Sequence, residues 1–179
     1  DMLLAPGTPF DYNGTRQNYP DIRLVYWAGG NPFHHHQDLN RLARAWRKPE
    51  TIVVHEQVWN AHAKMADIVL PASSTLERED LGHATRDSLL IAMKPALAPP
   101  GQARDDYRIF TDIAARLGKA QDFTEGRSVG QWLRWMYDQA ARGMADAGVQ
   151  MPGFDEFWAS GGVEFPANDK PVVLLQDFR

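Results

Sequence analysis

The sequence predicts an α/β fold, a mostly parallel sheet flanked by helices, followed by a helical C-terminal extension. Three observations predict it. Short apolar or β-branched runs at residues 22–28, 51–54 and 66–70 are separated by polar or helical segments, the pattern of parallel βαβ units. The first run breaks off at Gly29-Gly30-Asn31-Pro32, a strand running into a tight loop. Beyond Pro99-Pro100-Gly101 the apolar spacing changes to the helical period.

Each element follows in order. Residues 1–20 carry turn signals at Pro6-Gly7 and Asn13-Gly14 and no helical or strand period, so they read as an ordered loop or a severed connection. Ile22 to Ala28 is β-branched and aromatic, a strand. Leu39, Leu42, Ala43 and Trp46 then recur at helical spacing, with Asp38 placed to cap them. Thr51-Ile52-Val53-Val54 has the continuous apolar character of a strand buried on both faces. Ala66-Asp67-Ile68-Val69-Leu70 stops at Pro71, which cannot donate to a ladder. Leu89 to Met93 reads as one more strand, after a polar loop carrying Glu77, Arg78, Glu79, Asp80, Arg86 and Asp87. Beyond the Pro-Gly break, Phe110, Ile113, Ala114 and Leu117 form an apolar helix face that Asp105 or Asp106 can cap and Gly118 can close. Ser128-Val129-Gly130-Gln131 is a capping box opening a helix with Trp132, Trp135, Met136 and Ala140 on one side. Phe154, Phe157 and Trp158 mark a shorter helix, and residues 171–175 a last strand without a successor.

Composition excludes several classes. The 179 residues carry 23 acidic and 19 basic side chains, a formal charge of −4, with no Lys/Arg block to track a phosphate backbone. The expectation is therefore no nucleic-acid partner and no membrane partner. With 0 Cys, no disulfide, thiolate metal site or cysteine nucleophile can form within these residues. A chain that opens on Asp1 and ends just past an unpartnered strand is expected to be a piece of something longer.

The most informative stretch is Trp27 to Asp38. In open parallel sheets ligands bind beyond the carboxyl ends of the strands, where glycines let backbone come close. Gly29 and Gly30 sit where that geometry needs them, although the run is neither a G-x-G-x-x-G fingerprint nor a Walker loop, and a plain strand-to-helix turn is the simpler local reading. His34, His35 and His36 point in different directions in any regular backbone, so they do not make a metal site; none is expected. His55-Glu56-Gln57-Val58-Trp59 starts like a zincin motif but has Trp59 where the second histidine belongs. Glu56 and Asp67 lie near strand ends, where they can accept hydrogen bonds from a base, cap helices or stay solvated. Asp105 and Asp106 fit helix entry, Ser73 and Ser74 have no base in a nucleophile motif, and no catalytic residue is assigned. From the residues alone the reading is an α/β module binding an anion or nucleotide.

A chain of motifs adds to this: Phe10-Asp11-Tyr12-Asn13-Gly14-Thr15-Arg16, Tyr26-Trp27-Ala28-Gly29-Gly30-Asn31-Pro32-Phe33, His35-His36-Gln37-Asp38, Ala66-Asp67-Ile68-Val69-Leu70-Pro71, Leu76-Glu77-Arg78-Glu79-Asp80 and Ala103-Arg104-Asp105-Asp106-Tyr107. In that order and spacing they resemble the molybdopterin oxidoreductases of the dimethyl sulfoxide reductase family, in the branch of biotin sulfoxide, trimethylamine N-oxide and dimethyl sulfoxide reductases. The resemblance implies a bacterial S- or N-oxide reductase working by oxygen-atom transfer on a bis-molybdopterin guanine dinucleotide cofactor with molybdenum.

It further implies that residues 1–120 are part of a dinucleotide-binding, Rossmann-like lobe and that 121–179 are a helical extension ending in a strand. The partners it implies are the molybdopterin guanine dinucleotide and the remaining domains of a parent enzyme. The metal-binding serine of this branch belongs to an earlier segment, so the chain by itself is expected to hold no molybdenum and to be inactive. The other reading is a free-standing nucleotide-binding or interaction module without catalysis. Carried over by position, the expected cofactor-binding residues are Gly29, Gly30, Asn31, Pro32, His35, His36, Gln37, Glu56, Asp67 and Asp87. One departure stands out: Asn60-Ala61-His62-Ala63 occupies the place of a common Thr-Ala-Thr-Ala. Location follows the branch, cytoplasmic for biotin sulfoxide reductase-like members and periplasmic for the others.

Overall fold

The computed structural model describes residues 1–84 and 87–166. The strand expected at 171–175, the motif at 177–179 and Arg86 lie outside the described residues. The chain divides into two compact units, one of Asp1–Ser74 with Pro99–Ala120, the other of Thr75–Ala98 with the described residues from Gln121 onward.

The first unit opens with a hairpin, β1 (Pro9–Tyr12) paired antiparallel with β2 (Thr15–Asn18). This corrects the expectation of a strandless start. Asn13 and Gly14 both have positive φ, 48° and 76°, the two-residue hairpin turn that Asn-Gly favours. The strands show no alternation because nearly all of their residues are exposed.

Next come β3 (Leu24–Trp27), the short helix α1 (Pro32–His35), α2 (Leu39–Trp46), β4 (Thr51–Glu56), α3 (Ala61–Lys64) and β5 (Ile68–Pro71). The three strands form a parallel sheet in the order β3-β4-β5, with Val25 level with Ile52 and Val54 level with Val69. As the central strand, β4 is buried on both faces, as its unbroken apolar run predicts. One face packs Ile52 and Val54 against Trp46 of α2, supported by Val25, Trp27, Phe33 and Leu42. Asp38 caps α2 by accepting from Arg41 N–H at 2.9 Å. Helix α4 (Asp106–Arg116) sets Phe110 near Tyr26, ring centroids 5.6 Å apart, and near His55 at 5.0 Å. Its buried residues are Ile109 and Ala114, whereas Leu117, expected on the apolar face, is 72% exposed just past the last turn.

The second unit corrects the mostly parallel prediction. Its strands β6 (Asp80–Gly82), β7 (Leu89–Met93) and β8 (Gly162–Glu164) form an antiparallel sheet in the order β6-β7-β8. Burial alternates along β7, Leu90 and Ala92 inward and Leu89 and Ile91 outward, so only one face needs cover and no crossover helix is required. After the short α5 (Ala120–Thr124), α6 (Val129–Asp146) opens with the predicted capping box of Ser128 and Gln131. Its buried residues are Leu133 and Tyr137; Trp135 and Met136, expected inward, are exposed. Tyr137 stacks on Phe157 of α7 (Phe154–Ser160) at 4.4 Å and donates its O–H to Pro152 O at 2.8 Å, which fixes the inward face.

Candidate functional site

The parallel sheet ends at Trp27, Glu56 and Pro71, and beyond those ends, within the first unit, lies a cleft of about 410 Å³. Gly29, Gly30 and Asn31 form one wall with His34 and His35 of α1; His55 to Val58, Ala72 and Asp106 form the other. Gly29 and Gly30 have φ of 82° and 70°, a conformation only glycine adopts cheaply, and a side chain at Gly29 would meet nothing within 4 Å. Trp27 donates its indole N–H to Gly29 O at 2.7 Å and pins the turn. Asn31 closes it by accepting from Phe33 N–H at 3.0 Å, with Pro32 buried at the first helical position.

Two carboxylates face this cleft, and each is held by a buried imidazole. Glu56 accepts from His62 Nδ1 at 2.8 Å through one oxygen and from Asn60 Nδ2 at 2.9 Å through the other. The side chain of His62 is 0% exposed, ringed by Trp27, Trp46 and Phe33 with centroids 5.7 to 6.2 Å away, and its Nε2 has no partner among the described residues. Asn60 and His62 are therefore the pair that braces Glu56.

Asp106 lies 2.6 Å from His55 Nδ1, and His55 Nε2 lies 2.6 Å from the Tyr26 hydroxyl. A carboxylate only accepts, so His55 Nδ1 carries the hydrogen. Burial, reinforced by the negative charge of Asp106, pushes the Tyr26 phenol above the usual tyrosine value. The phenol thus keeps its proton and donates it to Nε2. Asp105, not Asp106, caps α4 by accepting from Arg108 N–H at 2.9 Å, which leaves Asp106 for His55.

Of the residues expected to bind cofactor, the cleft brings together Gly29, Gly30, Asn31, His35 and Glu56. His36 and Gln37 are exposed on the turn after α1 and do not line it. Asp67 stands at the opposite, amino end of the sheet, where its carboxylate accepts from Ile52 N–H at 2.8 Å. Asp87 belongs to the second unit and accepts from Leu89 N–H at 3.1 Å. Sequence reasoning missed His55, Asp106 and Tyr26. The available signals were a histidine directly after the apolar 51–54 run and an Asp doublet of which a helix start needs only one.

A family model for molybdopterin oxidoreductases matches residues 11–116. The chain is 50% identical over 172 residues to the dimethyl sulfoxide/trimethylamine N-oxide reductase of Rhodobacter capsulatus, covering 94% of this chain and 21% of that protein. It is 50% identical over 175 residues to the biotin sulfoxide reductase of Cereibacter sphaeroides, covering 97% and 24%. It is 47% identical over 182 residues to the trimethylamine-N-oxide reductase of Haemophilus influenzae, covering 100% and 22%. The chain thus spans between a fifth and a quarter of the length of these curated relatives. Among solved structures, the acetylene hydratase of Pelobacter acetylenicus matches with a TM-score of 0.62 at 16% identity, over 84% of this chain and 19% of that one, a likeness of fold.

Proposed function

Because the chain belongs to the molybdopterin oxidoreductase family, we propose that its cleft holds the guanine end of a molybdopterin guanine dinucleotide, as the cofactor-binding segment of a bacterial S- or N-oxide reductase. The observation that carries this reading is the pairing of two acceptor-only carboxylates, Glu56 and Asp106, with a left-handed glycine turn at the carboxyl ends of parallel strands. The donor set fits the group. Guanine presents adjacent N–H donors at N1 and its exocyclic amino group, which carboxylates accept and which adenine does not offer in the same pattern. The bare backbone of Gly29 and Gly30 admits a bulky anion closely, and the exposed imidazoles of His34 and His35 supply further donors for phosphate.

In this reading Gly29, Gly30, Asn31, His35 and Glu56 carry contacts, and Pro32 sets the loop. His36 and Gln37 meet the part of the cofactor that leaves the cleft, and Asp67 braces β4. When bound, the molybdenum cofactor supplies the two-electron chemistry by which an S- or N-oxide gives up its oxygen. The chain's own residues bind and orient it. Guanosine diphosphate is the probe: calorimetric titration into the purified chain should show binding tighter than that of adenosine diphosphate, weakened by Glu56→Gln. Equal affinity for the two nucleotides would overturn the reading.

A further inference from the structure

We propose that His55 is a positioning residue: held by the Tyr26 hydroxyl, it fixes Asp106 so that the second carboxylate oxygen accepts the exocyclic amino group of guanine. The inference rests on the cofactor reading above and deepens it. Both carboxylates of the cleft are braced, but unequally. Glu56 has both oxygens engaged, by His62 and Asn60. Among the described residues Asp106 has only Oδ1 engaged, and its side chain is 48% exposed within the cleft wall, so Oδ2 is the acceptor left for a ligand.

The means of holding it are also specific. The His55 side chain is 1% exposed at the carboxyl end of β4, between Tyr26 of β3 and Asp106 at the first turn of α4. A buried imidazole with both nitrogens engaged cannot flip without leaving two groups unpaired. With the phenol donating to Nε2, the hydrogen on Nδ1 is fixed, and it aims at Asp106 Oδ1. The carboxylate is consequently presented in one orientation and always as an acceptor. A ligand with an N–H donor at that point gains a charge-assisted hydrogen bond; one without it faces an unmet acceptor.

The experiment compares guanosine diphosphate with inosine diphosphate, which differs only in lacking the exocyclic amino group, by calorimetric titration of the full chain. Wild type should prefer the guanosine nucleotide by about tenfold, the worth of one hydrogen bond to a charged acceptor. His55→Asn places its amide nitrogen where Nδ1 was and should keep most of that preference. His55→Gln places it at the Nε2 side and should lose the preference, to a ratio of about one. A merely structural role would move both variants alike.

An unchanged ratio in His55→Gln, in a wild type that does discriminate, overturns the positioning role and leaves the cofactor reading standing. A wild type that does not favour guanosine over adenosine diphosphate overturns the cofactor reading, and this inference with it. Should His55→Gln fail to fold, Tyr26→Phe, at a side chain partly open to solvent, carries the test. It should lower the guanosine-to-inosine ratio, and an unchanged ratio there equally overturns the role.

Discussion

Replacing His62 with alanine tests the link between the aromatic core of the first unit and its cleft. The imidazole is fully buried, packed against Trp27, Trp46 and Phe33, and donates to Glu56 at 2.8 Å. Truncation opens a void in a site that three rigid rings cannot readily fill. A cost of about 2 kcal/mol, the low end for removing a large buried side chain, is appropriate because the ring is polar and Nε2 already lacks a partner. The lost hydrogen bond to a carboxylate adds about 1.5 kcal/mol. The sum, about 3.5 kcal/mol, should lower the urea midpoint by more than about 1 M, given slopes of about 1 to 3 kcal/mol per molar for small domains. Tryptophan fluorescence is the natural readout, since Trp27 and Trp46 flank the ring. Glu56 keeps only Asn60 as a brace, so affinity for guanosine diphosphate should fall in the same variant at temperatures where it remains folded. A loss below about 1 kcal/mol would refute the claim that His62 couples core and cleft, since neither the void nor the hydrogen bond can be that cheap.

Gly162→Ala should destabilise the second unit by about 1 to 3 kcal/mol in chemical denaturation, because the new Cβ would sit 2.9 Å from Leu90 O, a backbone atom held in the sheet. Gly29→Ala meets open space but must hold φ at 82°, so its cost should be about 1 kcal/mol by the same measurement. Tyr137 should titrate above free tyrosine in an ultraviolet phenolate titration, because burial, aided by Asp138 and Glu156, raises its folded value. The stability it protects is present below about pH 10 and is lost as pH climbs through that raised value, since the unfolded chain releases the proton first. Tyr137→Phe should flatten that alkaline loss.

What the sequence made legible follows from how each element is buried. The strand β4 was readable because it is covered on both faces, and that leaves an unbroken apolar run; α2, α4 and α6 were readable at their starts because Asp38, Asp105 and Ser128 bond the first-turn N–H groups as their positions predict. The hairpin of β1 and β2 buries neither face, so no period of two exists to be found, and only Asn13-Gly14 announced it. The inward face of α6 went astray because Trp and Met outrank Tyr in any hydrophobic count, yet it is Tyr137 that bonds Pro152 O and stacks on Phe157. The cleft shows the same limit more sharply. Its glycines were visible because a left-handed turn admits little else, a constraint written locally. The Asp106, His55 and Tyr26 chain joins residues 51 and 29 positions apart, and no local pattern encodes a partner at that distance. Only parallel pairing of β3 with β4, Tyr26 level with Val53, together with the docking of α4 brings the three groups together. A buried polar residue inside an apolar strand must have its hydrogen bonds met. His55 therefore signalled that partners existed, while their identity waited on the fold.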